Sequence, residues 1–448
     1  MQKPKAISGF PEWLPAHKQA EQYLLDTIRH VYQLYGFTPL ETAAVERVEA
    51  LAAKGVVDKE IYALGRLREE AGSREWELAL HFDLTVPLAR YVALNYGALN
   101  FPFKRYQIQK VWRGERPQEG RFREFYQADI DVIAEDQLPL HFDAEMPAAV
   151  HDIFTRLGIK SQIRVNNRRI LLGYYRGLGI DDERTADILR EVDKLDKIGP
   201  DKVSQSLVEA GLSQDLVSRC LALAEIRGQA DQVLAAAAGL GVANDEFEQG
   251  LDELRQVAAL LTHLPAEALV WDLGIVRGLD YYTGTIYETN LPDHPGLGSI
   301  CSGGRYENLA SEFINRNLPG VGISIGVSRL VSYLFSSETW QPPRSCPTEV
   351  LIVLPSAEDA PKCHQVARRL RERGIPSEVH HLPQALKKQV RYADRRGIPY
   401  VLFPHQYEGD GGQVEIKTLA SGDQVTVALD DWADRHAQGP PRDYSGLY

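Results

Sequence analysis

The sequence predicts an α+β chain of several domains, and three patterns carry that reading. From Phe103 to Ile133 polar and apolar residues alternate with period two, the pattern of a long β-hairpin, interrupted by Pro117-Gln118-Glu119-Gly120. From about 169 to 245 the period lengthens to that of helices, in an Ala- and Leu-rich stretch punctuated by glycines at 177, 179, 199, 211, 228, 239 and 241. After the Pro-rich break Gln341-Pro-Pro-Arg-Ser-Cys-Pro347, strand and helix alternate as in an α/β unit with a parallel core. These patterns divide the chain into a first β-rich part (1–168), a helical insertion (169–245), a second β-rich part (246–335), a linker (336–347) and a C-terminal α/β domain (348–448).

The elements follow in order. Residues 16–35 form an amphipathic helix, with Leu24, Ile28, Val31, Tyr32 and Tyr35 on one stripe and Gly36 as its stop. Strand patterns resume at Ala268 after the insertion and run through Glu288. In the last domain the expected order is a strand from Glu349 to Pro355, a helix from Asp359 to Arg373, and a strand from Ser377 to His381. A basic helix from Gln384 to Arg396 and a strand from Pro399 to Phe403 follow.

Composition narrows the function classes. A chain of 448 residues that is 44% hydrophobic and 25% charged fits an ordinary globular protein. No apolar run approaches the ~20 residues of a membrane span, and the first residues, Met-Gln-Lys-Pro-Lys-Ala-Ile-Ser, lack the apolar core of a signal peptide. The four cysteines are scattered, which speaks against a zinc site or disulfide framework and for the cytoplasm. A net charge of −12 confines any RNA contact to local basic patches. One patch lies between Lys104 and Glu124, where seven cations face three glutamates. The other comprises Lys387, Lys388, Arg391, Arg395 and Arg396.

Three segments concentrate the chemistry. Val276-Arg-Gly-Leu-Asp-Tyr-Tyr-Thr-Gly-Thr-Ile-Tyr-Glu288 places Arg277, Asp280 and two tyrosines in one stretch, and from Tyr281 it reads as a strand walling a site for a charged, flat ligand. On the hairpin the odd positions carry Arg105, Gln107, Gln109, Arg113, Glu115, Arg121, Arg123, Gln127, Asp129 and Asp131. This is either a solvated sheet face or a ladder for a ligand with phosphate at one end and hydrogen-bonding groups at the other. Gly320-Val-Gly-Ile-Ser-Ile-Gly-Val-Ser-Arg329 sets small residues on one face, either for sheet packing or for a flat ligand, with Arg329 opening a helix. Neither a P-loop nor a Rossmann fingerprint is present.

In order and spacing these segments resemble the class II aminoacyl-tRNA synthetases. Gly36–Glu46 is similar to motif 1, Arg113-Gly-Glu115 through Arg121-Phe-Arg-Glu-Phe-Tyr-Gln127 to motif 2, and Gly322…Gly326…Arg329 to motif 3. Val-Arg277-Gly-Leu-Asp-Tyr-Tyr282 and Ser302-Gly-Gly-Arg-Tyr306 resemble segments peculiar to the histidyl branch. Asp83-Leu84-Thr85 and Leu386-Lys-Lys-Gln-Val-Arg-Tyr-Ala-Asp-Arg-Arg-Gly-Ile-Pro399 match it as well. The resemblance implies a class II catalytic core built on an antiparallel sheet, a helical insertion and a C-terminal anticodon-binding α/β domain. It also implies ATP-dependent activation of L-histidine to histidyl-adenylate and transfer to the 3′ end of tRNA(His). Mg2+ would accompany ATP with no ligand named, and a homodimer is expected.

Carried over residue by residue, the resemblance gives Arg113 the α-phosphate and the histidine carboxylate, Glu115 the adenine end, and Arg329 the γ-phosphate. Arg277 becomes the catalytic cation at the α-phosphate. Asp83 and Thr85 take the histidine amino group, and Gln127, Asp131, Tyr281 and Tyr282 take substrate and imidazole. Gln118 lies toward the acceptor end of tRNA, while Lys387, Lys388 and Arg391 belong to the RNA-binding helix. Three positions depart from the family pattern. Glu41-Thr-Ala43-Ala44 stands where motif 1 usually has proline, His81-Phe82 precedes Asp83, and Ser328 precedes the motif 3 arginine. The competing readings are a synthetase-like regulatory subunit of histidine biosynthesis, a class II synthetase for another amino acid, and an RNA-binding module.

Overall fold

The computed structural model describes residues 4–52, 60–66, 76–118, 120–278, 281–307, 310–311, 313–336, 346–409 and 412–437. Glu119, Asp280 and most of the expected linker lie outside them. The chain divides into two compact units, one of residues 1–12 and 23–339, the other of 13–22 and 340–448.

In the first unit, strand β1 (Thr38–Pro39) precedes a small separate sheet of β2 (Val45–Arg47), β3 (Ala63–Leu64) and β4 (Leu78–Leu80). The expected hairpin forms as β5 (Phe103–Trp112) and β6 (Glu124–Ile133), paired from Phe103↔Ile133 to Trp112↔Glu124. The main sheet is completed by β7 (Gln162–Asn167), β8 (Arg227–Gly228), β9 (Leu269–Asp272), β10 (Thr285–Asn290), β11 (Cys301–Tyr306) and β12 (Gly320–Gly326). Its order is β1-β5-β6-β12-β11-β10-β7-β9-β8. The six strands from β5 to β7 are antiparallel to their neighbours, and β1 and β9 add parallel pairings.

The amphipathic helix spans Pro15–Leu34, and its apolar stripe is driven from water: Leu24, Ile28, Val31 and Tyr32 are all fully buried. Burying each such side chain contributes about 1.5–3 kcal/mol. The Tyr32 hydroxyl donates to the Ala128 carbonyl (2.9 Å), which fixes this helix against β6. In the insertion, helices run from Arg168 to Ala238 and again over Asp245–Leu260, past the limit read from sequence. Asn167 caps the first of these helices by accepting from the Arg169 amide. Its amide nitrogen donates to Glu253 (2.8 Å), clamping helix Asp245–Leu260 alongside. The insertion also lends the main sheet its edge strand β8.

The expected strand from Tyr281 starts later, at Thr285. Gly278, at φ +54°, turns the chain so that the Tyr281 and Tyr282 amides both donate to its carbonyl (3.1 and 3.0 Å). A side chain at 278 would meet the Tyr282 ring at 2.0 Å. β10 is no edge strand, because it pairs with β7 and β11 and is buried from Thr285 to Thr289.

In the second unit, β13 (Val350–Ile352), β14 (Ser377–Val379) and β15 (Tyr400–Phe403) form the expected parallel core. Two antiparallel strands not read from sequence, β16 (Gln413–Thr418) and β17 (Gln424–Ala428), extend it. Alternation sorts the core by face. Val350, Ile352 and Leu402 pack with helices Ala360–Glu372 and Leu429–His436, while Leu351, Val401 and Phe403 pack with helix Leu386–Arg396. Among the described residues no helix is long and apolar enough to cross a membrane.

Candidate active site

The site is built on three adjacent strands, β5, β6 and β12, whose register sets side chains of one face in rows. Arg105, Asp131 and Gly322 are cross-strand neighbours, as are Gln107, Asp129 and Ser324, and then Gln109, Gln127 and Gly326. The solvated-face reading of this ladder is set aside, since Arg105 and Gln107 are 0% exposed and Asp129 and Asp131 only 4% and 5%. Gly322 leaves the space that Asp131 fills, because a Cβ there would stand 2.1 Å from Asp131 Oδ1.

Burial makes the charges pair. Arg105 Nη2 meets Asp131 Oδ2 at 2.6 Å, and the Tyr306 hydroxyl donates to Asp131 Oδ1 (2.9 Å). The Ser324 hydroxyl donates to Asp129, and Gln127 Nε2 donates to Ser324 Oγ (2.8 Å). Burial raises the Asp131 carboxyl against the opposing pull of Arg105 and Tyr306. It pushes Asp129 up to about 7, opposed by Arg105 and the Ser324 hydroxyl.

Two cavities meet over these rows. The smaller, of about 350 Å3, is lined by Asp83, Thr85, Arg113, Gln127, Asp129, Asp131, Tyr281, Tyr282 and Tyr306. Asp83 accepts from the Val86 amide (3.1 Å) at the start of helix Thr85–Asn95, so that carboxylate and hydroxyl sit together at the helix N-terminus. The tyrosine rings are 4.1 Å apart, with the Tyr281 hydroxyl donating to that of Tyr282 (2.8 Å).

The larger cavity, of about 970 Å3, is lined by Arg113, Glu115, Gln118, Arg121, Phe125, Arg277, Glu288 and Arg329. Arg113, Gln127, Ser302 and Ser324 border both. Arg113 is oriented by donating Nε to the Phe82 carbonyl (3.0 Å) and lies over the Phe125 ring (5.2 Å). Arg277 pairs with Glu288, and Arg121 with Glu115. Arg329 donates to the Leu297 and Ser299 carbonyls. Its pKa falls below the usual guanidinium value through burial and then through Arg121 and Arg277, which converge with it on this cavity. Among the described residues no group of three or more His, Cys, Asp or Glu could hold a metal ion.

The structure therefore gathers Asp83, Thr85, Arg113, Gln127, Asp131, Tyr281 and Tyr282 around one cavity and Arg113, Glu115, Gln118, Arg277 and Arg329 around the other. Lys387, Lys388 and Arg391 are exposed on a helix of the second unit, while Arg396 is drawn to Glu378 (3.1 Å). The basic patch at 104–124 breaks up, because Arg105 is buried on Asp131 while Lys104 and Lys110 pair with Glu145 and Glu124 (both 2.6 Å). Site residues not singled out from sequence are Asp129, Glu288, Ser324 and Tyr306. Asp129 shared the odd register of the ladder, Ser324 the small-residue face, and the other two ended quoted segments.

The departures have structural partners. Ser328 accepts from the Tyr126 amide (2.9 Å), tying the helix of Arg329 to β6. His81 is buried, its Nε2 bonded to the Lys110 carbonyl (2.7 Å). Thr42 accepts from Gln107 Nε2 (2.9 Å) at Oγ1 and from Gln109 Nε2 (3.0 Å) at its carbonyl, holding the β5 members of the polar rows.

Known proteins share this architecture. The family model for histidyl-tRNA synthetase matches residues 9–330, and that for an anticodon binding domain matches residues 349–436. The histidine–tRNA ligase of Thermobifida fusca (strain YX) is 52% identical over 433 residues, covering 96% of this chain and 98% of that protein. That of Micrococcus luteus is 48% identical, covering 96% of each. The crystal structure of histidyl-tRNA synthetase from Nostoc sp. PCC 7120 gives a TM-score of 0.88 at 39% identity, over 97% of this chain and 100% of that one. A Bacillus halodurans C protein described as an ATP phosphoribosyltransferase regulatory subunit/histidyl-tRNA synthetase gives 0.72 at 21% identity, over 87% and 97%, a likeness of fold alone. With that family model spanning most of the chain and relatives near half identity end to end, the chain belongs to the histidyl-tRNA synthetase family.

Proposed function

We propose that the chain is an aminoacyl-tRNA ligase that activates L-histidine with ATP and transfers the histidyl group to the 3′ end of tRNA(His). The observation that carries this reading is Arg113, which borders both the cation-rich cavity and the carboxylate-lined one. Adenylation needs such a junction, because a carboxylate oxygen must attack the α-phosphorus in line while pyrophosphate departs, and the two reactants repel. A guanidinium fork between them holds both anions. Arg113 would bridge the histidine carboxylate and the α-phosphate, and Arg277 would neutralise charge growing on the α-phosphate oxygens. Arg329 would hold the γ-phosphate, relieving its repulsion from Arg121 and Arg277, with Glu115 toward the adenine end.

In the smaller cavity Asp83 and Thr85 would take the ammonium group, Gln127 would contact the substrate beside them, and Asp131, Tyr281 and Tyr282 would take the rest of histidine. Asp131 already accepts from Arg105 and Tyr306, and a carboxylate's remaining lone pairs leave room for an imidazole N–H. Mg2+ is expected with the nucleotide. Glu115, Asp193, Asp196 and Glu288 are carboxylates lining the large cavity that could share it with phosphate oxygens, supplying further charge neutralisation there.

Gln118 would lie toward the acceptor end of tRNA, and the exposed Lys387, Lys388 and Arg391 would contact its anticodon region. We infer a homodimer, supported by the motif 1 resemblance and by two exposed apolar residues, Leu34 just before it and Val45 within it (57% and 37%). Sedimentation equilibrium tests that inference. Four free, buried cysteines suit a reducing compartment, and we place the protein in the cytoplasm.

The deciding experiment is ATP–pyrophosphate exchange with each of the twenty amino acids, with Arg277→Ala as control. Exchange with histidine alone, severely cut by the substitution, supports the reading. No exchange with any amino acid would turn it toward a regulatory subunit.

A further inference from the structure

An amide side chain can present either its carbonyl or its NH2 group, and a site must fix which. Gln127 borders both cavities, so its outward group meets the end of the amino acid nearest the nucleotide. Its Nε2 is committed to Ser324 Oγ (2.8 Å), and Ser324 spends its single proton on Asp129. Asp129 and Ser324 are held opposite each other by strand register, so the order of donors is built into the sheet. Gln127 Oε1 is left buried and without a hydrogen-bond partner among the described residues.

We propose that Asp129 and Ser324 are positioning residues that fix the polarity of the Gln127 amide, so that Oε1 faces the α-ammonium group of the amino-acid substrate. This rests on the histidine-activating reading. The ionised carboxylate can only accept, the hydroxyl must then donate to it, and the amide nitrogen is left the hydroxyl's lone pair. Removing the hydroxyl frees the amide to rotate and to turn an NH2 toward a cation. Neither residue needs to touch the nucleotide, so the loss should fall on the amino acid alone.

The test is steady-state ATP–pyrophosphate exchange at pH 8, above the value of about 7 to which Asp129 is pushed, with Ser324→Ala, Ser324→Thr and the unaltered chain. Ser324→Ala is expected to raise the KM for histidine about tenfold, the loss expected for one hydrogen bond to a charged group, with the KM for ATP within twofold. Ser324→Thr keeps the hydroxyl and should restore the histidine KM to within about threefold. Binding of imidazolepropionate, which lacks the ammonium group, should be equal in all three. A histidine KM unchanged in Ser324→Ala overturns the proposal. So does a loss shared equally by ATP and imidazolepropionate, which would mark a general packing role. Absence of histidine exchange in the unaltered chain would instead remove the reading on which the proposal rests.

Discussion

Arg105 and Asp131 face each other across the β5–β6 hairpin, joined at 2.6 Å with side-chain exposures of 0% and 7%. Such a pair is costly to bury and more costly to break. Arg105→Met should strand a buried carboxylate and lose about 3–5 kcal/mol of unfolding free energy. The double variant Arg105→Met with Asp131→Leu should recover much of that loss while still failing to activate histidine. Denaturant titration of both variants beside an exchange assay checks the split. Equal stability of the single and double variants would refute it.

Arg277 acts on charge that grows in the transition state, so its loss should appear in rate more than in binding. Arg277→Ala is expected to lower kcat for adenylation by about 10²–10³ with little change in the KM for ATP. Pre-steady-state quench measurements of adenylate formation report this directly. A change confined to KM would assign Arg277 to ground-state binding.

Asp129 makes stability depend on pH. Burial raises its carboxyl from 3.8 in the unfolded chain to about 7 in the fold, so the fold favours the protonated form. This contribution is fully present below about pH 4 and is lost as pH rises through 7. The ionised form then costs the fold on the order of 4 kcal/mol. Asp129→Asn removes that titration. Relative to the unaltered chain, the variant should therefore be more stable at pH 8 than at pH 5, as unfolding midpoints at the two pH values would show. A difference independent of pH would contradict the shift.

Gly322 shows what packing demands of the site. A methyl group there would stand 2.1 Å from Asp131 Oδ1 and 2.9 Å from the Ile130 carbonyl, both on the neighbouring strand. Gly322→Ala should displace Asp131 and raise the KM for histidine at least tenfold, the cost of about one misplaced hydrogen bond. Exchange kinetics against histidine concentration would measure it, and an unchanged KM would mean that the strand yields without moving the carboxylate.

The hairpin was legible because its period-two pattern runs through ten residues on each strand, and the arginines stood out because phosphate chemistry selects them. Whether the polar ladder was wet or buried was not legible. The rows continue onto β12, whose Ser324 lies 197 residues beyond Gln127, and nothing local announces that pairing. The same distance hid the role of Asp129, which looked like one more rung. Tyr281 and Tyr282 were read as strand because alternation continued through them, whereas Gly278 closes a turn that periodicity does not see. β16 and β17 escaped because they fold back as a hairpin after the strand–helix alternation ends, and the first three residues of β17 are exposed, so no apolar stripe marks it.

The exposed cations on helix Leu386–Arg396 lead to a prediction about RNA. That helix turns Gln389 and Ala393 inward and leaves Lys387, Lys388 and Arg391 to solvent, so its charged face is not needed for packing. If these side chains meet phosphates, each releases counterions on binding, and affinity falls with salt in proportion to their number. Lys387→Ala with Lys388→Ala should weaken tRNA(His) binding and reduce the slope of log affinity against log salt by about 1.5–2. ATP–pyrophosphate exchange, which needs no tRNA, should be unaffected. Filter binding across a salt series separates the cases: a shallower slope places the helix on the RNA backbone, and an unchanged slope shows that its charges serve only solubility.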